Sequence, residues 1–157
     1  MATYARKTET SVESSRLEIE RTLTRYGADH FAYMNTPDKA VIGFQVRNLR
    51  VRFDMPMPNR KEEEFTHYSR AGSSRIYERN ERAASAAWQQ ACRQRWRALA
   101  LVIKAKLEAV ECGIATFEQE FLAYIVMPDG QRVGDYAIPA IAAAVEGKPM
   151  PPLLGKF

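Results

Sequence analysis

A strict alternation of apolar and polar residues between Ala40 and Met55 most constrains the fold of this chain. The apolar positions form two runs that flank Asn48, namely Ala40, Ile42, Phe44 and Val46, then Leu49, Val51, Phe53 and Met55. Successive side chains of a β-strand point to opposite faces of the sheet. The pattern therefore predicts two antiparallel strands that turn near Asn48 and share one continuous apolar face.

A third strand is predicted before this pair, and short connections join all three. The predicted strands cover residues 29–35, 39–47 and 49–55. Sequential strands with short connections favour an antiparallel meander. Helices must cover its apolar face, because a sheet buries one face against another layer of structure. The opposite face is expected to carry Gln45, Arg47, Arg50, Arg52 and Asp54.

Apolar residues at helical spacing predict helices on either side of the strands. The first helix spans residues 11–26, and Thr10 with Glu13 fits a capping box at its start. A longer helix over residues 81–112 carries an apolar stripe of Trp88, Cys92, Trp96, Leu99, Ile103, Leu107 and Val110. Shorter helices are expected after Thr116 and from Pro139. This order predicts one α+β domain over residues 1–157.

Residues 56–80 are polar and show no apolar period, which predicts a long mobile loop. Long loops inside compact domains are usually either functional or disordered. Arg70 and Arg75 are interleaved there with Tyr68 and Tyr77, a composition compatible with a segment that orders on binding. A floppy excursion without a binding role is the alternative.

Composition narrows the class of protein. The chain has 157 residues and no run near the roughly 18 apolar residues of a membrane span, so we expect a soluble protein without membrane contact. Its N-terminus does not resemble a secretion signal, and Cys92 and Cys112 are too far apart on one helix to pair. A cytoplasmic protein with reduced thiols is expected. The net charge of +4 leans toward a polyanionic partner.

Motifs for catalysis and cofactor binding are missing from the sequence. It contains no Walker loop, no dinucleotide glycine fingerprint and no G-x-S-x-G elbow. With His30 and His67 as its only histidines, we expect neither an enzyme nor a bound cofactor or metal. A small metal-dependent nuclease built from Asp29, Glu62, Glu63, Glu64, Asp129 and Asp135 is a third alternative. A solvated charge run at residues 62–64, a turn at Asp129 and a helix cap at Asp135 are the better explanation of these carboxylates.

Two strips of basic residues are the sequence feature that favours binding of a polyanion. Arg47, Arg50 and Arg52 would lie close together on the solvent face of the strands, where they would repel one another unless acids or a polyanion offset them. The long helix adds a second strip on one exposed side, formed by Arg93, Arg97 and Lys104. The alternative is that both strips are ordinary charged surface, with Asp54 or helix carboxylates as partners.

These strips, together with an arginine and tyrosine loop, predict sequence-independent binding of single-stranded DNA. Backbone charge supplies most of the affinity of such proteins, and aromatic faces supply stacking. A module that docks on an acidic protein partner and inhibits a host enzyme remains the alternative from a different class.

The stretches TETSVESSRLEIERTLTRYGAD, RQRWRALALVIKAKLEAVECGIATFEQEFLAYIVMPDG and MPPLL resemble a set of small bacteriophage and prophage proteins without an assigned activity. The resemblance implies a bacterial cytoplasm during phage growth. Accessory proteins there serve DNA replication, recombination or the neutralising of host defences.

The predicted order of elements also resembles phage and eukaryotic single-strand annealing proteins, which act as oligomeric rings without nucleotide or metal. That likeness implies a homo-oligomer whose DNA groove would be lined by Arg47, Arg50, Arg52, Arg93 and Arg97, although this chain is short for the group. A double-stranded-RNA-binding domain is similar in order, but NERAASAAWQQ lacks its lysine-rich motif.

Overall fold

The computed structural model of the protein describes residues 5, 7–72 and 74–149, and its fold is α+β, as predicted. The helices are α1 (Val12–Arg25), α2 (Glu63–Thr66), α3 (Glu81–Glu111), α4 (Phe117–Phe121) and α5 (Val133–Val145). The strands are β1 (Ala28–Asn35), β2 (Lys39–Val46), β3 (Leu49–Pro56), β4 (His67–Ser69) and β5 (Ile76–Glu78). The MPPLL stretch lies outside the described residues. None of the described helices is long and apolar enough to cross a lipid bilayer.

The alternating segment forms the predicted antiparallel meander, with strand order β1-β2-β3. Its apolar positions pair across β2 and β3 as Ala40 with Met55, Ile42 with Phe53, Phe44 with Val51 and Val46 with Leu49. The two-residue turn consists of Arg47 and Asn48, and Arg47 has a φ of 55°. The prediction that Arg47 belongs to the strand is therefore wrong, because the chain reverses direction at this residue.

Helices α1 and α3 cover the apolar face of the sheet. Ile19 and Leu23 of α1 and Ile103 and Leu107 of α3 are at most 1% exposed, as their helical spacing predicted. Phe121 of α4 completes this core and is likewise buried. These side chains pack on the apolar face of the sheet, whereas residues from the start of α5 contact the opposite face at Arg52 and Asp54.

Local capping explains where the helices begin. Ser11, and not the predicted Thr10, caps α1, since its Oγ accepts a hydrogen bond from the backbone N of Ser14 at 3.1 Å. The predicted capping box at Thr116 is confirmed. Helix α5 begins at Val133 instead of Pro139, which lies inside the helix. Sequence alone favoured the later start because proline is common in the first helical turn.

Residues 56–80 contain α2 and the β4-β5 hairpin, so the expected long loop is wrong as a description of their structure. Phe65 is buried at 4% exposure, and Trp88 Nε1 donates a hydrogen bond to the carbonyl oxygen of Pro58 at 2.9 Å. The backbone N of Arg79 donates to the oxygen of Thr66 at 2.7 Å. The bond from Trp88 ties the segment to α3 and the bond from Arg79 closes it on itself, whereas its mobility stays a prediction.

Candidate nucleic-acid interface

The predicted basic row on the sheet is not a set of three unpaired arginines. Arg52 Nε lies 3.1 Å from Asp54 Oδ1, in an ion pair without the alignment of a hydrogen bond. Arg52 Nη1 also donates to the carbonyl oxygen of Gly130 at 2.9 Å. Asp54, which follows two residues later on the same sheet face, thus offsets the charge of Arg52, as the alternative of an ordinary charged surface expected.

A second arginine joins this group from the start of α5. Arg132 Nη2 donates to Asp135 Oδ1 at 2.7 Å and lies 3.8 Å from Asp54 Oδ2. The hydrogen bond from Arg132 lowers the pKa of Asp135, and the same bond raises the pKa of Arg132. Arg52, Asp54, Arg132 and Asp135 thus form a charge-balanced cluster that links β3 to α5.

Arg47 and Arg50 remain at the surface. Both are exposed, Arg47 in the turn and Arg50 on the outer face of β3 opposite Gln45. Neither forms an ion pair with a residue in the part of the chain that the structure describes. The two guanidinium groups are therefore available to an anion.

The predicted strip on α3 is also interrupted. Arg97 donates a hydrogen bond to the carboxylate of Glu18 on α1, so its charge is offset between the two helices. Arg93 Nε donates to Gln90 Oε1 at 3.0 Å. Lys104 is exposed and makes no ion pair among the described residues. Tertiary packing of α1 on α3 explains the difference, since Glu18 is distant from Arg97 in sequence.

The β4-β5 hairpin brings together the aromatic and basic residues predicted from the loop. Tyr68 and Tyr77 pair directly across the strands, and their rings stack with centroids 5.5 Å apart. Arg70 Cζ lies 5.0 Å from the centroid of the Tyr77 ring. Arg75 precedes β5 and is exposed. The four predicted residues therefore lie on one short hairpin.

Arg79 extends this group and was not among the predicted site residues. Its Cζ lies 5.5 Å from the centroid of the Tyr68 ring, and its Nε donates to the carbonyl oxygen of His67 at 3.1 Å. Each of the two tyrosine rings thus has a guanidinium group over it. We call Tyr68, Arg70, Arg75, Tyr77 and Arg79 the arginine-tyrosine hairpin. It offers delocalised planar groups and positive charge in one place.

Three of the six carboxylates proposed for a nuclease accept hydrogen bonds from local partners. Glu62 Oε1 accepts a hydrogen bond from the backbone N of Asn59 at 2.7 Å, and Asp129 Oδ1 accepts one from the backbone N of Gln131 at 3.0 Å. Asp135 accepts its hydrogen bonds from Arg132. Among the residues that the structure describes, no group of three or more histidine, cysteine or acidic side chains could hold a metal ion.

The tryptophans of α3 belong to packing surfaces, as the apolar stripe predicted. Trp96 is 2% exposed, and its ring centroid lies 6.3 Å from that of Tyr33. Trp88 is half-buried against the segment that follows β3. Cys92 and Cys112 are free thiols, and burial raises the pKa of Cys92. The two indole rings thus serve the packing of α3, in contrast to the stacked tyrosines of the arginine-tyrosine hairpin.

Comparisons with protein-family models, with curated proteins and with solved structures gave no match to this chain.

Proposed function

We propose that the protein binds single-stranded DNA without sequence preference and does so through the arginine-tyrosine hairpin. The observation that carries this proposal is the stacked pair of Tyr68 and Tyr77 with a guanidinium group over each ring. The proposed setting is a bacterial cytoplasm during phage growth. Its proposed role is that of a recombination or replication accessory with annealing activity.

The chemistry of the hairpin suits unpaired nucleotides. Bases of single strands stack on aromatic side chains and guanidinium planes, at about 1–3 kcal/mol per base. Arginines bind phosphate oxygens, and that contribution does not depend on base identity. Arg70 and Arg75 are exposed on the hairpin and supply positive charge beside the tyrosines. Stacking plus backbone charge requires no reading of base edges, so the expected binding is tolerant of sequence.

Only some of the basic side chains on the two strips are included in the proposed DNA-binding surface. Arg47, Arg50 and Lys104 are exposed and extend the positive surface. Arg52 and Arg97 are left out, because carboxylates of the same fold already offset their charges. A phosphate would have to compete with those acids and would gain little from the exchange.

The proposed homo-oligomer rests on α5. Ile138, Ile141 and Val145 are 65%, 54% and 84% exposed, at helical spacings of three and four residues. From Ala137 to Val145 the helix has no charged or hydrogen-bonding side chain. A helix face of this kind is normally buried against another apolar face. A second copy of the chain presents the same uncharged face, whereas a nucleic acid does not.

Fluorescence anisotropy of a labelled oligothymidylate tests the binding proposal. With about four phosphates contacted, log K is expected to fall against log salt with a slope near −3. Replacing both Tyr68 and Tyr77 by alanine should weaken binding at least tenfold, because the stacking platform is lost. Replacing both by phenylalanine keeps the rings and should retain most of the affinity.

Ile76→Ala is the matched control, because Ile76 lies in β5 next to Tyr77 and is 71% exposed. This variant should bind like the unmodified protein. Absence of any anisotropy change at low salt would refute DNA binding and favour a host protein as partner. Equal affinity in the double alanine variant would remove the hairpin from the site.

A further inference from the structure

The outer face of the sheet contains a groove that the proposed hairpin site does not use. Its volume is about 310 Å³, and it runs across all three strands. The side chains and backbone that matter for its chemistry belong to His30, Met34, Val41, Gly43, Gln45 and Arg50. Met34 is 53% exposed there, although methionine is an apolar residue.

Gly43 lies in the middle of β2, where glycine weakens a strand. A Cβ at this position would meet its nearest neighbours, Ala32 Cβ and the carbonyl oxygen of Val51, at 3.8 Å, which is ordinary van der Waals contact. Its backbone does not require a positive φ. The fold itself therefore does not demand glycine here. Glycine inside a strand often marks a bulge or the close approach of another backbone or of a ligand, and Gly43 forms part of the groove lining.

A second irregularity borders the same groove. The register of β1 against β2 shifts between Asp29 and Ala32, and His30 within this bulge has a φ of 51°. A positive φ is uncommon for a residue other than glycine, and bulges often redirect side chains beside binding sites. The bulge places His30 in the groove lining, with Nδ1 3.0 Å from Asp29 Oδ1.

The groove carries a positive charge, that of Arg50, which no carboxylate among the described residues offsets. Arg50 lines it and forms no ion pair with any residue that the structure describes, whereas Arg52 nearby is offset by Asp54. Gln45, the cross-strand partner of Arg50, donates its side-chain N–H to the carbonyl oxygen of Arg47 at 2.9 Å. An apolar floor with one available guanidinium group suits a ligand that has a flat apolar body and an anionic group.

We infer that this groove binds one nucleotide, with the base against Gly43 and the aliphatic floor and the phosphate on Arg50. The inference rests on the proposed function for the identity of the ligand, and it adds a second contact point to the hairpin. The two sites share no residue, so each can be removed without altering the other.

An NMR titration of the ¹⁵N-labelled protein with deoxyadenosine monophosphate tests the inference. Saturable shifts are expected at the amides of Gly43, Gln45 and Arg50. Deoxyadenosine and inorganic phosphate should each bind at least fivefold more weakly, because each offers only half of the recognised chemistry. Shifts confined to the hairpin, or phosphate binding as tight as that of the nucleotide, would overturn it.

Gly43→Val supplies the matched variant. A β-branched side chain suits a strand and fills the groove, so thermal stability should be kept or raised while nucleotide binding falls at least tenfold. Unchanged binding in this folded variant would overturn the inference. The double alanine variant at Tyr68 and Tyr77 should keep the groove shifts, because the groove does not include the hairpin.

Oligonucleotide binding separates this inference from the proposed function. If the unmodified protein and Gly43→Val bind an oligothymidylate equally and the tyrosine variant does not, the groove fails and the hairpin site stands. If no oligonucleotide binds but the mononucleotide still shifts Gly43, the groove stands and the proposed function fails.

Discussion

Arg52 Nε lies 3.1 Å from Asp54 Oδ1 on the outer face of β3. Arg50 lies two residues earlier on the same face and has no acidic partner among the described residues. Two arginines on the same face of one strand therefore differ in whether their guanidinium groups are available to an external anion. One guanidinium group is part of the fold's own charge balance, and the other faces solvent.

Truncation of Arg52 should lower the stability of the protein, whereas truncation of Arg50 should lower its affinity for an oligonucleotide. Arg52→Ala should lower the free energy of unfolding by about 1 kcal/mol, because Asp54 keeps only the more distant Arg132 as partner. Arg50→Ala should stay within about 0.5 kcal/mol of the unmodified protein, as exposed changes generally do. Urea unfolding measures both values. Oligonucleotide affinity should fall for Arg50→Ala and not for Arg52→Ala. A larger loss of oligonucleotide affinity in Arg52→Ala than in Arg50→Ala would contradict the assignment of Arg52 to the ion pair with Asp54.

Stability should decline in acid through Asp135. The hydrogen bond from Arg132 holds the pKa of this carboxyl below its ordinary value of 3.8, so the folded protein binds this proton less readily than the unfolded chain. The stabilisation is complete above about pH 4 and is lost as pH falls through the folded pKa. Asp135→Asn should lower the unfolding free energy by about 1 kcal/mol at neutral pH, since it also weakens the cap of α5.

The difference in unfolding free energy between Asp135→Asn and the unmodified protein should therefore become smaller below pH 4. Thermal unfolding followed by circular dichroism at pH 7 and at pH 2.5 provides the comparison. A constant difference at both values would show that the carboxylate charge is not involved.

Self-association should depend on α5. Ile141→Glu places a charge in the centre of the uncharged exposed face and should convert an oligomer to the monomer mass, because burying an unpaired carboxylate is costly. Light scattering coupled to size exclusion measures the mass. Ile114→Glu is the matched control, since Ile114 is 79% exposed and lies between α3 and α4. A monomeric unmodified protein at high concentration would reject this interface.

Phe121 should be one of the most sensitive core positions. It is fully buried, and its ring meets those of Phe44 and Phe53 edge to face at centroid distances of 6.0 and 6.3 Å. Phe121→Ala should cost about 3–5 kcal/mol in unfolding free energy. Phe117→Ala should cost clearly less, because Phe117 is only half-buried beside the core. Similar losses for the two variants, measured in urea, would contradict this packing.

Hydrophobic periodicity predicted the elements whose apolar stripes are long. The stripe of α3 and the alternation across β2 and β3 need no knowledge of distant residues, since each pattern reports one buried face. The β4-β5 hairpin escaped prediction because its strands are three residues long and depend on cross-strand tyrosines and on backbone bonds near Arg79. Its polar composition carries no periodic signal.

Charge availability could not be predicted from local sequence. Arg97 meets Glu18 across two packed helices, and Arg52 meets Gly130, which lies 78 residues later in the sequence. Only the Asp54 partner of Arg52 was visible as a neighbour in the strand. Gly43 could have been noticed as a glycine inside an alternating strand, a signal that indicates a bulge or a close approach.

The bulge at His30 has a further consequence for the sheet. Within the described residues β1 pairs only with β2, so its other side is an edge, while β3 receives a hydrogen bond from Val126 to the oxygen of Arg50 at 2.8 Å. An unbroken edge strand is a template on which strands of neighbouring molecules can be added. The irregularity in β1 interrupts that template, which makes the addition of a further strand at this edge less favourable.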